Sequence, residues 1–390
     1  MRQPIYLDGF ATMPLAPEAQ NVMLEVWREP SNAGSPHRLG ERAAMYVADA
    51  RQLVADLIGA SAPEICFTSG ATEANNMAIL GVARWALAGG STRRKIIVSS
   101  IEHKAVLAPA EFLRSQGFEV VHAPVDGNGV VDCSLLAGLA TDDVLIISVM
   151  LANNETGALQ PISDVAAIAR TVGALVHCDG AQAAGKLAID VLDIDVDYLS
   201  LSAHKLYGPG GVGALYIAAN APRPQPLIFG GGQQASLRPG TEPVALIAGF
   251  GAAAQIASSS VDADAKAALA LSQHFRSRIW AAGLGAELTT GNRQALPGGM
   301  SIYLPDIDAE ELVMAISADV AISTGSACTS GQLMPSHVLS AMGFSEEKAR
   351  SIFRVMFNRY NSLEDVAFAA DKIGSMARRL QHRTGRSHQW

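Results

Sequence analysis

The sequence predicts an α/β fold, with a large domain on a mostly parallel seven-stranded sheet and a smaller α+β domain. Three observations carry this expectation. Between about residues 42 and 217, short β-branched runs alternate with longer segments of helical period. Several runs are apolar on both faces, "VLIISVM" (144–150) above all, which suits a sheet covered on both sides. After about residue 255 the alternation gives way to a long helical stretch followed by short strands and helices. The chain has 390 residues, 49% hydrophobic and 17% charged, enough for two or three domains with a large core.

Taken in order, the strands are expected at "EICFTS" (64–69), "KIIVSS" (95–100), "EVVHAP" (119–124), "VLIISVM" (144–150), "ALVHCD" (174–179), "YLSLSA" (198–203) and "GALYIA" (213–218). Helices are expected between several of them, from Glu73 to Leu87, Ala105 to Gln116 and Ile162 to Val172. "APRPQPLIFGGGQQ" (221–234) reads as a surface connection with a glycine turn. "ASSSVDADAKAALALSQHFRSRIW" reads as a loop entering a long helix. The strands "GGMSIYL" and "IFRVMF" and the helices "AEELVMAISA" and "SLEDVAFAADKIGSMARRL" complete the second unit. The expected division is a large domain over 16–255 and a small one over 1–15 and 256–390.

Composition narrows the function. Net charge is -8 with no basic run, which argues against nucleic acid as a partner. The N-terminus "MRQPIYLDGF" has no apolar h-region, so no secretory signal is expected. No unbroken apolar run of about 18 residues occurs, so no membrane span is expected. Cys66, Cys133, Cys178 and Cys328 lie far apart with no C-x-x-C pair, so neither a disulfide framework nor a metal site is expected. The expected location is the cytoplasm.

In open α/β sheets ligands gather at the carboxyl ends of the strands. Polar residues recur there in this chain. "TSGATEANN" (68–76) follows the first strand, where helix-start amides suit a phosphate and Thr72 can add a hydroxyl; a plain helix cap is the competing reading. His103 follows the second strand, and Asn153, Asn154 and Glu155 follow the fourth, where either chemistry or a turn explains them. Asp179 ends the fifth strand, and a carboxylate there needs a cationic partner or a metal. "LSLSAHKLYGPGG" (199–211) sets Ser202, His204 and Lys205 at the end of the sixth, before a Gly-Pro-Gly-Gly turn. A desolvated lysine is a nucleophile suited to a Schiff base. Asp179 and Lys205 together match what pyridoxal 5'-phosphate requires: a carboxylate for the ring nitrogen and an amine for the aldehyde.

These motifs resemble the class V aminotransferases among fold-type I pyridoxal-phosphate enzymes, and within them the cysteine desulfurases of the nitrogen-fixation and iron–sulfur assembly group. "YLDGFAT", "SGATEANN", "NNETG", "HCDGAQ", "SAHKLYGPGG", "RPGT", "STGSACTSG" and "RVMFNRY" occur in the family's order, nearly end to end. The resemblance implies that Lys205 forms the imine with the cofactor and later carries the Cα proton. Asp179 is then the partner of the ring nitrogen, Gln182 the donor at the ring hydroxyl, and His103 the imidazole stacked on the ring. Ala71, Thr72, Ser202 and His204 fall on phosphate-binding positions, and Thr241 resembles a phosphate ligand reaching in from a second subunit, which implies a homodimer. Asn154 and Arg354 resemble the binders of the substrate carboxylate, and Cys328 the nucleophile that takes sulfur from L-cysteine as a persulfide. A sulfur-acceptor or iron–sulfur scaffold protein is the implied partner. Another class V enzyme, an aminotransferase or a selenocysteine lyase, or a non-catalytic homologue, shares most of these features. The chain departs from the family at Gly9-Phe10, where Asn-Ala is frequent, at Met13 in place of Thr, at Gly210 in place of Lys, and at Gln234 in place of Glu.

Overall fold

The computed structural model describes residues 3–325 and 336–387. The large sheet holds β2 (Ile65–Thr68), β3 (Lys95–Ser99), β4 (Glu119–Ala123), β5 (Val144–Ser148), β6 (Leu175–Asp179), β7 (Tyr198–Ser202) and β8 (Gly213–Ile217). Each strand lies inside the run that the sequence marks for it. The order is β2-β8-β7-β6-β5-β3-β4, parallel except for β8, which is antiparallel to both neighbours. Its inner strands are apolar on both faces because helices cover both; all five residues of β5 and of β7 are buried.

The smaller sheet pairs β12 (Ser323–Thr324), β13 (Ile352–Met356), β10 (Gly299–Tyr303) and β9 (Glu287–Leu288) in that order, all antiparallel. Beside it, β1 (Ile5–Tyr6) runs parallel to β11 (Val320–Ala321). The chain's first residues therefore belong to the small apolar core, through Ile5 and Leu7. Phe10, Met13 and Ala16 lie only a few residues on and belong to the large one.

The helices differ from expectation in two places. The first begins at Ala71 and runs Ala71–Asn76, then a π-helical turn Met77–Gly81, then Val82–Ala88. Glu73 is a first-turn acid, so the helix starts two residues before it. The expected loop at "ASSSVDADA" is absent, because Val244–Ala281 is one helix of 38 residues. Alanine favours helix, and the serines satisfy themselves within it: Ser259 and Ser260 donate to Ile256 O at 2.9 and 2.8 Å. Residue 255 thus falls inside a helix whose first half packs in the large core and whose second half, Leu271, Phe275 and Ile279, packs in the small one.

By length and composition this helix is also apolar enough to cross a membrane, although 56% of its most apolar window is buried inside the protein. The reading from unbroken apolar runs misses it, since glycine and serine interrupt those runs. Burial accounts for its hydropathy: Phe250, Ala253 and Ala254 face the large core.

Phe275 is fully buried and meets Phe357 edge to face at 5.4 Å. Phe275→Ala is expected to cost about 3–5 kcal/mol, read as a lowered urea midpoint. A loss below about 1 kcal/mol would mean that the small core does not depend on this pair.

Candidate active site

One cavity of about 550 Å³ opens at the carboxyl ends of the parallel strands. Ala71, Thr72, His103, Asn154, Asp179, Gln182, Ser202, His204, Lys205 and Arg354 all line it. The sheet brings together residues that the chain scatters over nearly three hundred positions. Two expected site residues are not among them. Thr241 is exposed and does not line this chain's cavity. Cys328 lies outside the described residues.

Lys205 follows β7 on a short 3-10 turn, Ala203–Lys205. Its Nζ donates to Phe10 O at 2.5 Å and Ala11 O at 2.9 Å. The loop itself is pinned from outside: Met13 N donates to His204 O at 2.8 Å, and Ala16 N to Tyr207 O at 2.9 Å. The N-terminal segment therefore holds the lysine by both side chain and backbone.

Asp179 ends β6 and is buried. Asn75 Nδ2 donates to its Oδ2 at 2.7 Å and Ala181 N to its Oδ1 at 3.0 Å, which fixes the carboxylate's direction. Gln182 Nε2 donates to Phe10 O at 2.8 Å. Asn75 Oδ1 and Gln182 Oε1 are buried without a hydrogen-bond partner among the described residues. Two orphaned acceptors beside an oriented carboxylate are costly in an apolar site, and a polar ring ligand would relieve both.

The turn before helix Ala71–Asn76 is shaped by glycine. Gly70 has φ +152°, and β8 passes so close that a Cβ on Gly213 would lie 2.6 Å from Gly70 Cα. The first helical bond, Ala74 N to Gly70 O at 3.1 Å, leaves the amides of Ala71 and Thr72 upstream of the ladder, beside the cavity. Together with Ser202 and His204 they fit a phosphate. The donor set as a whole fits pyridoxal phosphate.

His103 caps helix Lys104–Arg114, accepting from Ala105 N at its Nδ1 (3.1 Å). Burial lowers its pKa, with Lys205 and Lys104 adding to the effect against Asp179. A neutral ring whose Nδ1 lone pair is engaged carries its proton on Nε2. In this tautomer His103 is a donor at Nε2. Burial, together with the charges of Lys205 and Lys186, also pushes His204 down to about 4; its Nδ1 lies 3.0 Å from Thr12 Oγ1.

Arg354 comes from β13 in the small sheet and is almost fully buried. Its Nη1 donates to Asn154 O at 2.9 Å and its Nε to Ser323 Oγ at 2.8 Å. Ser323 in turn donates to Asp8 Oδ1 at 2.7 Å, and the guanidinium lies 5.8 Å from the Phe10 ring centroid. Arg354 Nη2 also lies 3.8 Å from Asp8 Oδ1, so these contacts together hold the guanidinium at the cavity wall. Burial raises the Cys66 thiol to about 12 and Cys178 well above its usual value, which suits neither to nucleophilic work, and it raises Cys133 as well.

The departures from the family pattern become intelligible here. A Cβ on Gly9 would lie 2.9 Å from Met13 Cε, so the Gly9 and Met13 changes are coupled in volume. Gln234 lies away from the cavity. Its Oε1 accepts from Arg51 and from Phe67 N, both at 2.9 Å, and its Nε2 donates to Glu242. A glutamate at 234 would face Glu242 as a like charge. Sequence reasoning missed Asn75 and the Phe10 and Ala11 carbonyls. Asn75 was legible in principle, lying one helical turn after Ala71 on the same face.

The aminotransferase class-V family profile matches residues 5–368. A cysteine desulfurase IscS from Anaeromyxobacter sp. (strain Fw109-5) is 42% identical over 388 residues, 98% of this chain and 94% of that protein. A solved structure of a NifS-like protein superposes with TM-score 0.89 at 36% identity, covering 96% of this chain and 99% of that one. A structure of SspA in complex with cysteine superposes with TM-score 0.80 at 34% identity, covering 92% and 100%.

Glu102, beside His103, is fully buried and accepts from Met150 N at 2.7 Å; burial raises its pKa from 4.5 to about 8. The native state therefore keeps a proton that the unfolded chain releases. This stabilisation is full below about pH 4.5 and is lost as pH rises through about 8. Glu102→Gln is expected to gain stability relative to the parent between pH 6 and pH 9, read from urea midpoints. Parallel profiles for the two proteins would contradict it.

Proposed function

The chain belongs to the aminotransferase class-V family, and from that premise we propose that it is a pyridoxal-phosphate-dependent cysteine desulfurase, converting L-cysteine to L-alanine with transfer of sulfur to Cys328. The observation that carries this reading is the convergence of Lys205, an oriented Asp179 and a buried Arg354 on one cavity.

Bound there, pyridoxal phosphate supplies an aldehyde that condenses with amines and a protonated ring that withdraws electrons from Cα of the substrate. Asp179 holds the proton on the ring nitrogen, and Asn75 and Ala181 keep the carboxylate aimed at it. Arg354, backed by Asn154 O and Ser323, receives the substrate carboxylate as a charge-assisted pair. Lys205 would hold the aldehyde carbon until the substrate amine takes its place, and its Nζ would then move the proton at Cα. His103 lines the cavity and, in its neutral form, carries its proton on Nε2. Cys328, as thiolate, attacks the substrate sulfur; an S–S bond forms, the C–S bond breaks, and its electron pair stays with the carbon that becomes the methyl group of alanine.

The same reading extends to a homodimer, a cytoplasmic location and delivery of the persulfide to an acceptor protein, as in iron–sulfur cluster assembly. The exposure of Thr241 away from its own cavity supports a role across a subunit boundary. The names of the relatives support the desulfurase activity.

The purified protein is expected to be yellow and to release alanine from L-cysteine in the presence of a thiol. Cys328→Ser should keep the colour and lose protein-bound persulfide; normal turnover by that variant would overturn the assignment of the nucleophile. Arg354→Ala is expected to lower kcat/KM for L-cysteine by about 10–100-fold, the scale of one charged hydrogen bond at about 1.5–3 kcal/mol. A change of less than about twofold would place carboxylate binding elsewhere.

A further inference from the structure

A second lysine sits directly behind the site. Lys186 is buried, seven residues after Asp179, and does not line the large cavity. Its Nζ donates to Gln182 O at 2.9 Å and to Lys205 O at 2.8 Å. One ammonium thus ties the turn carrying Asp179 and Gln182 to the turn carrying Lys205. Three successive contacts hold the lysine turn: Met13 on His204 O, Lys186 on Lys205 O and Ala16 on Tyr207 O. Of the three, only Lys186 brings a charge.

We infer that Lys186 is a positioning residue, which sets the place of Lys205 against the Asp179–Gln182 turn and tunes its basicity through space. The inference rests on Lys205 as the cofactor-bonded lysine. A buried ammonium normally has an anionic partner. Here burial lowers the Lys186 pKa to about 7, and the charge of Lys205, also positive, adds to the effect. The groups facing it are Lys205, His204 and Tyr207. Across a small adjoining cavity of about 60 Å³ stand Asp264 and Arg359, already paired with each other at 2.6 Å. To the extent that Lys186 is protonated, its charge behind Lys205 disfavours a second proton there, which keeps the neighbouring amine ready to accept one.

The test is a pH titration of the visible absorbance of the Lys205-bound cofactor in purified holoenzyme, for the parent, Lys186→Met and Lys186→Arg. Arginine keeps the charge and the donors, and the adjoining cavity gives its larger head room. The apparent pKa is expected to fall in the order Lys186→Met, parent, Lys186→Arg, with the extremes apart by about half a unit or more. Coincident or reversed curves would overturn the inference, since a purely structural lysine would not order the three by charge. If Lys186→Met does not fold, Lys186→Gln takes its place as the uncharged variant. A colourless parent would instead overturn the cofactor reading itself.

Discussion

The Lys205 ammonium donates to the carbonyls of Phe10 and Ala11, residues 195 and 194 positions away in the chain. Much of the active site depends on that contact. The same Phe10 carbonyl receives Gln182, so one backbone oxygen sets two side chains at once. A few residues earlier, Leu7 bonds to Ala321 O and accepts from Met356 N, which ties the segment to the small sheet. The N-terminal strand is therefore the brace between the strand ends that supply Lys205 and the sheet that supplies Arg354. Backbone carbonyls suit this role because they orient an ammonium without neutralising it.

Burial then sets the protonation states around this brace. Glu102 is raised to about 8 and Glu155 to about 7, while His177, between Ser148 Oγ at 2.8 Å and Ser200 Oγ at 3.0 Å, is lowered to about 4. Around neutral pH the interior thus favours neutral forms of groups that carry charge in water. Two donors face the oxygens of Asp179, and a cationic ring is the natural complement of a carboxylate so held.

The seven strands were legible because β-branched runs apolar on both faces have few alternatives in a chain of this size, and because punctuating turns separate them. The helix Val244–Ala281 was not legible over its middle. Serine and aspartate read as loop formers, yet here the serines bond back to Ile256 O, and Asp264 pairs with Arg359. Side chains at strand ends were legible as candidates because the fold class says where ligands gather. Contacts made by carbonyls, such as Phe10 O and Lys205 O, leave no mark on residue type. Gly9 with Met13, and Gln234 with Glu242, looked like isolated departures and are paired adjustments in space.

The central claim is that geometry selects Lys205, not its buried neighbour Lys186, for covalent attachment of the cofactor. The side chain of Lys186 donates to the backbone carbonyl of Lys205, and of the two lysines only Lys205 lines the cavity. The direct measurement is borohydride reduction of the holoenzyme followed by peptide mapping of the trapped adduct. The account predicts a single modified site at Lys205. An adduct on Lys186 or on any other lysine would contradict it.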